Sequence, residues 1–88
     1  MKIIKEIDPS GTIKYLNENW DYHQPNGPAY ISKDSKYKSW WINGQRHRLD
    51  GPAIERRDGT KSWYLNGNKI PVSSQEEFER YLKLMAFI

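Results

Sequence analysis

The stretch "HRLDGPAIERRDGTKSWYLNG", residues 47–67, decides the fold because most of it occurs twice in the chain. Its Asp-Gly-Pro-Ala at 50–53 repeats the Asn-Gly-Pro-Ala at 26–29, and its Lys-Ser-Trp-Tyr-Leu-Asn-Gly at 61–67 repeats the Lys-Ser-Trp-Trp-Ile-Asn-Gly at 38–44. A fainter copy, "SGTIKYLNENW", occupies residues 10–20 and aligns only if one residue is skipped. The repeated segments lie about 24 residues apart. A fixed period of this length is typical of repeat architectures. It predicts units at about 10–33, 34–57 and 58–72, within a single domain over residues 1–88.

Each unit has the pattern of short strands joined by tight turns. Asp58 and Gly59 lie between two strand-like runs, which favours a two-residue hairpin loop of type I′, with positive φ at both central residues. The corresponding loop at 34–37 lacks glycine and is longer by one residue, so we expect a looser turn there. Asn-Gly pairs at 43–44 and 66–67 predict further turns. The sequence therefore predicts a mainly β fold, an antiparallel meander of about five or six short strands.

Residues 73–88 leave this pattern and favour a helix. Ser74 and Glu77 have the spacing of a capping box, in which each side chain accepts a hydrogen bond from a free amide at the helix start. Apolar residues then recur at helical spacing and form one stripe: Phe78, Tyr81, Leu82, Met85 and Ile88, widened by Leu84 and Phe87. We predict a C-terminal amphipathic helix over about 74–87 that covers one face of the sheet.

Side chains alternate across a strand, so each strand of the meander contributes to two faces. With a two-residue loop at 58–59, the face covered by the helix would comprise Tyr30, Trp40, Ile42, Ile54, Trp63 and Leu65. The opposite face would carry an aromatic row of Tyr15, Trp41 and Tyr64. This row has two interpretations. It either packs within the sheet, with Ile3, Ile4 and Ile7 folded over it, or forms a surface for a partner or for self-association.

The composition excludes several classes of protein. The chain has no cysteine, so it has neither disulfides nor thiolate metal sites, which fits a cytoplasmic protein. No segment approaches the roughly 20 apolar residues of a membrane span, and the N-terminal residues do not resemble a signal peptide. We therefore expect a soluble protein that does not contact a membrane.

His47 and Asp50 suggest a catalytic pair, but the repeat argues against one. Both positions are duplicated, as His23 and Asn26, and an amide cannot serve as a general base. An Asp or Asn before Gly-Pro can shape a turn in either form. Two histidines without cysteine fall short of a zinc site, and no phosphate-binding glycine loop is present. The sequence thus predicts no enzyme, no metal and no cofactor.

Nucleic-acid or nucleotide binding is a stronger alternative. Arg46, Arg48, Arg56 and Arg57 form a basic patch near aromatic residues, a combination used to bind single strands. Acidic residues are interspersed, however, and charged strand residues also prevent aggregation at sheet edges. The net charge of +3 is ordinary for a solvated surface. Both interpretations of the patch remain open.

The repeated residues resemble the tandem "HREDGPA…DG.K.WY.NG" repeats of small proteins from tailed bacteriophages, and of some large DNA viruses and bacteria. These repeats are similar to MORN repeats, β-hairpin units of like length. The resemblance covers about residues 10–88 and is specific for the repeat. It implies a small non-enzymatic module that binds a protein. For a phage-encoded chain, it implies an inhibitor or modulator of a host protein, such as an antiviral defence protein, in the host cytoplasm.

The first unit departs from the repeat. Glu18 stands in place of the turn glycine, Lys14 in place of the tryptophan, and residues 19–21 are added before His23. Irregular positions are not committed to the repeated fold, so a partner would be bound there. The predicted partner-binding set combines these positions, the loop at 33–38, the aromatic row and the basic patch: Tyr15, Trp20, Asp21, Tyr22, Trp41, Tyr64, Arg46, Arg48, Arg56 and Arg57.

Overall fold

The computed structural model describes residues 2–86, which form nine short strands and one helix. Seven strands make one antiparallel sheet in the order β1-β2-β3-β4-β7-β8-β9, and β5 and β6 form a separate hairpin. The elements are β1 (Ile4–Ile7), β2 (Ile13–Leu16), β3 (Tyr30–Ile31), β4 (Lys38–Ser39), β5 (Trp41–Ile42), β6 (Gln45–Arg46), β7 (Ile54–Glu55), β8 (Lys61–Leu65), β9 (Asn68–Ile70) and α1 (Gln75–Met85). The mainly β fold with a C-terminal helix is confirmed, with more strands than predicted.

The loops after β1, β3 and β7 share one turn geometry. Gly11, Ser35 and Gly59, spaced 24 residues apart, all have positive φ. In the last loop, Gly59 N donates to Arg56 O and Arg56 N donates to Thr60 O, both at 2.9 Å. This is a three-residue loop, a type I turn followed by a left-handed residue. The predicted two-residue type I′ loop is therefore wrong, whereas the loop after β3 is longer, as expected.

The extra loop residue shifts the register of β7 against β8. Ile54 pairs with Ser62 instead of Trp63, and a shift of one residue moves a side chain to the other face. Tyr30 and Ile54 pair in turn with Ser39. The predicted helix-covered face is thus wrong for Tyr30 and Ile54, which lie on the face of the buried serines.

The helix packs on the end of the sheet. Phe78 is fully buried and forms a core cluster with Trp63 and Ile70, joined by Leu65, Val72, Tyr81 and Leu82. Trp40 and Ile42 lie outside this cluster and line a surface cavity instead, so the helix covers less of the sheet than predicted. Phe87 and Ile88, which the apolar stripe included, lie outside the described residues.

The start of α1 confirms half of the predicted capping box. The Ser74 hydroxyl accepts a hydrogen bond from Glu77 N at 3.1 Å. The Glu77 carboxylate accepts from the backbone N and the hydroxyl of Ser73, at 3.1 and 2.6 Å, rather than from Ser74. These bonds hold the pKa of Glu77 below its usual value. Within residues 2–86, the helix is too short and too polar to cross a membrane.

Candidate functional site

One face of the sheet holds a cavity of about 500 Å³ in which half of the lining residues are aromatic, and we call it the aromatic cavity. The Tyr22 ring lies 5.2 Å from the Trp41 ring and 5.9 Å from the Tyr30 ring, between centroids. The Tyr30 and Tyr37 rings are 5.7 Å apart and nearly perpendicular. The lining residues are Tyr22, Tyr30, Ser32, Tyr37, Ser39, Trp41, Arg46 and Arg57.

The β5–β6 hairpin places Trp41 and Arg46 in this cavity. Asn43 and Gly44 at its tip have φ of 47° and 80°, as a type I′ turn requires, and Trp41 pairs with Arg46 across the hairpin. The Trp41 indole N–H donates to the Ser39 hydroxyl at 2.8 Å, which fixes the orientation of the ring. The Arg46 guanidinium carbon lies 4.7 Å from the centroid of the Trp41 ring and 5.4 Å from that of Tyr64. Arg46 thus makes cation–π contacts with both rings.

The two arginines of the cavity differ in their partners. Arg57 forms a bidentate ion pair with Asp34, with N···O distances of 2.8 and 3.1 Å. Arg46 has no carboxylate partner within residues 2–86, and its Nε is buried without a hydrogen bond. The uncompensated positive charge among the lining residues is therefore that of Arg46.

The Asp34–Arg57 pair predicts a specific acid sensitivity. The Arg57 guanidinium, the Ser32 hydroxyl and Lys36 N all donate to Asp34, and they hold its pKa well below the usual range. A carboxyl with a lowered folded-state pKa binds fewer protons than in the unfolded chain. Its stabilising effect is complete above the unfolded value near pH 4 and is lost as pH falls toward the folded value. Urea unfolding at a series of pH values should show that the free energy of unfolding falls less steeply in acid for Asp34→Asn than for the wild type.

The variant Arg57→Gln is the matched test, because it removes the main donor and leaves the carboxyl in place. We expect this variant also to reduce the decrease of the free energy of unfolding in acid, because the folded-state pKa of Asp34 rises without its main donor. Acid profiles that run parallel to the wild-type profile in both variants would contradict the assignment.

The structure brings together half of the predicted partner-binding residues. Tyr22, Trp41, Arg46 and Arg57 line the aromatic cavity, and Tyr64 flanks it through Arg46. The prediction that Tyr15 shares the face of Trp41 and Tyr64 is wrong. Its neighbour Lys14 pairs with Tyr30, so the Tyr15 side chain points to the opposite face. The aromatic row therefore has two of its predicted members. Ile4 and Ile7 do not fold over the row, because they form the edge strand β1.

The predicted basic patch is divided between different parts of the surface. The Arg48 guanidinium lies 3.9 Å from the Trp40 ring centroid and forms ion pairs with Asp50 and Glu55 at 3.0 and 3.2 Å. Together with Trp40 it lines a second cavity, of about 720 Å³, apart from the aromatic cavity. Arg56 belongs to the loop between β7 and β8. The four arginines thus do not form one continuous groove.

Trp20 stands out in the turn after β2. The buried Asn17 shapes this turn, because its side-chain oxygen accepts hydrogen bonds from Asn19 N and Asp21 N at 2.9 and 3.1 Å. Trp20 closes the turn with a φ of 66°, in the left-handed region, and its side chain is 66% exposed. Asp21 lies against Gly44 of the next unit, where an added Cβ would come within 3.3 Å of it. The turn therefore presents an exposed indole on a backbone that is held by several hydrogen bonds.

The two histidines have the same backbone role in successive units. His23 Nδ1 accepts from Asn43 N at 2.9 Å, and His47 Nδ1 accepts from Asn66 N at 3.0 Å. Each histidine thus supports the Asn-Gly turn of the following unit. The Asp50 carboxylate bonds to Arg48, so His47 and Asp50 do not form a hydrogen-bonded pair. Within residues 2–86, no three His, Cys, Asp or Glu side chains are placed to hold a metal ion.

Comparison of the chain with models of protein families, with curated proteins and with solved structures found no match. The resemblance to phage repeats therefore stays a prediction. Tyr30, Ser32 and Ser39 also line the aromatic cavity and were not predicted there. The predicted register placed Tyr30 on the opposite face, because it assumed a two-residue loop at 58–59.

Proposed function

We propose that this protein is a non-enzymatic binding module that contacts a partner protein through the turn at 18–22. The conformation and exposure of Trp20 carry this proposal. A side chain in the left-handed region costs about 1 kcal/mol relative to glycine, and an exposed indole brings no compensating burial. The turns with the same hydrogen-bond pattern after β1 and β7 use Gly11 and Gly59 at this position, with φ of 92° and 88°. Tryptophan is enriched among the residues that dominate protein interfaces, so binding would account for its presence here.

The resemblance to phage repeats supports a more specific form of this proposal. In that form the chain is phage-encoded and inhibits or modulates a host protein, for instance one of antiviral defence, in the host cytoplasm. Asp21 and Tyr22 adjoin Trp20 and extend the contact toward the aromatic cavity, which Tyr22 lines. A groove for nucleic acid formed by the basic patch has less support, because Arg46 and Arg48 line separate cavities.

Trp20→Gly is expected to separate folding from binding. Glycine adopts the left-handed conformation without strain, so the free energy of unfolding should rise by about 0.5–1 kcal/mol, measured by urea denaturation. When the variant is immobilised, it should no longer capture the partner from bacterial lysate. The expected result is a protein that is more stable and yet does not bind.

Leu84→Ala is the control for capture, because Leu84 is also exposed, at 68%, but lies on α1. A partner retained by the wild type and by Leu84→Ala, and lost with Trp20→Gly, supports the proposal. Equal capture by Trp20→Gly, or no stoichiometric partner at micromolar protein, contradicts it. Sedimentation tests the self-association alternative, which requires a mass above 10.5 kDa.

A further inference from the structure

We propose that the aromatic cavity binds a nucleoside 5′-phosphate, with the base against the aromatic rings and the phosphate on Arg46. Trp20 does not line this cavity, although Tyr22 does, so nucleotide binding can be tested without the proposed protein partner. Three properties support the assignment: the size of the cavity, the arrangement of its rings and the state of its arginines.

The size and the rings fit a planar heterocycle. The cavity, at about 500 Å³, falls within the usual range for small-molecule sites, of roughly 300–1,000 Å³. A single carboxylate or phosphate would leave most of it empty. The Tyr30 ring is close to perpendicular to both Tyr22 and Tyr37, at 84° and 89°. The rings therefore form walls with faces and edges in several directions, and stacking on aromatic faces is how proteins hold bases without strict sequence preference.

The state of Arg46 fits an anion. Its guanidinium is oriented by the Trp41 and Tyr64 rings, and such contacts fix the plane of the group without using its N–H donors. An arginine bound to a carboxylate, such as Arg57 in the same cavity, already has its positive charge balanced. Arg46 therefore offers free donors and an unpaired charge to a phosphate, which the planar guanidinium can bind through two N–H donors at once.

The same charge argues against a cationic ligand. Aromatic cages that bind quaternary ammonium groups attract the cation through the ring faces. Here Arg46 already occupies the space over Trp41 and Tyr64 and would repel a second cation. The ligand that matches both the rings and the charge is aromatic and anionic.

Calorimetric titration with AMP at low salt tests the proposal directly. We expect AMP to bind, and adenosine and inorganic phosphate each to bind at least tenfold more weakly, because each lacks one of the two contacts. The indole N–H signal of Trp41 in NMR spectra should shift on AMP addition, while that of Trp63, which donates to Gln75, should not.

Arg46→Gln should weaken AMP binding at least tenfold. Arg48→Gln is the matched control, because it removes the same charge from a cation–π contact outside the cavity, and it should bind AMP within twofold of the wild type. Circular dichroism checks that each variant is folded. Tyr37→Leu removes one aromatic wall of the cavity and should also weaken AMP binding. This second test does not depend on Arg46.

A short oligoadenylate distinguishes the source of the nucleotide. If the oligomer binds each site about as tightly as AMP does, the ligand is a free nucleotide. If the oligomer binds much more tightly than AMP, the ligand is a single strand. Both outcomes support the assigned chemistry. The proposal is overturned if millimolar AMP does not bind, if adenosine binds equally well, or if Arg48→Gln weakens binding as much as Arg46→Gln. None of these results bears on capture through Trp20.

Discussion

Replacing Phe78 with alanine is expected to lower the free energy of unfolding by about 3–5 kcal/mol, the usual cost of truncating a buried phenylalanine. Phe78 is fully buried against Trp63 and Ile70, and this cluster joins α1 to β8 and β9. Small domains have a total stability of about 5–15 kcal/mol, so the loss is a large part of the whole. Urea denaturation followed by tryptophan fluorescence and circular dichroism measures it.

Leu84→Ala is the matched control on the same helix. Leu84 is 68% exposed, so its truncation should change the free energy of unfolding by less than about 0.5 kcal/mol. Alanine favours helix at either position, so helix propensity does not produce the difference. Equal effects of the two substitutions would mean that the helix does not dock on the sheet through Phe78.

The repeat made the fold predictable, because the same turn residues recur in successive units. The predicted register is wrong, although the signal for the correct one is present in the first copy. Pro9 occupies the position that Arg57 holds in the third unit, and proline is favoured at the first central residue of a type I turn. In a two-residue loop at 58–59 this position would instead be the last strand residue and would donate its N–H across the hairpin, which a proline cannot do. The proline at position 9 therefore indicates a three-residue loop at 57–59, which places Ile54 opposite Ser62.

The aromatic row was predicted correctly only where the repeat is regular, whereas Tyr22 was predicted from the irregular first unit and does line the cavity. Trp41 and Tyr64 occupy equivalent positions in two similar units; Trp41 lines the aromatic cavity, and Tyr64 flanks it through Arg46. Tyr15 belongs to the copy that aligns only if one residue is skipped, and a single skipped residue exchanges the two faces of a strand. The Asp34–Arg57 pair joins two loops, so it depends on tertiary placement that local patterns do not encode.

His23→Ala is expected to lower the free energy of unfolding by about 2–4 kcal/mol, from an unsatisfied amide and a lost buried ring. The His23 side chain is 4% exposed, and its Nδ1 is the acceptor for Asn43 N. His47 makes the same bond to Asn66 N but is only half-buried, so His47→Ala should cost less, about 1 kcal/mol. Urea denaturation of both variants under identical conditions gives the comparison.

His23→Phe separates the two contributions, because phenylalanine fills the volume of the imidazole but accepts no hydrogen bond. A loss of at least about 1 kcal/mol should remain, the cost of the unpaired amide of Asn43. Equal costs at the two histidines, or wild-type stability of His23→Phe, would contradict the backbone role. The Asn43-Gly44 turn also sets the β5–β6 hairpin that holds Arg46 over Trp41. The His23 variants should therefore weaken AMP binding while leaving every residue of the aromatic cavity unchanged.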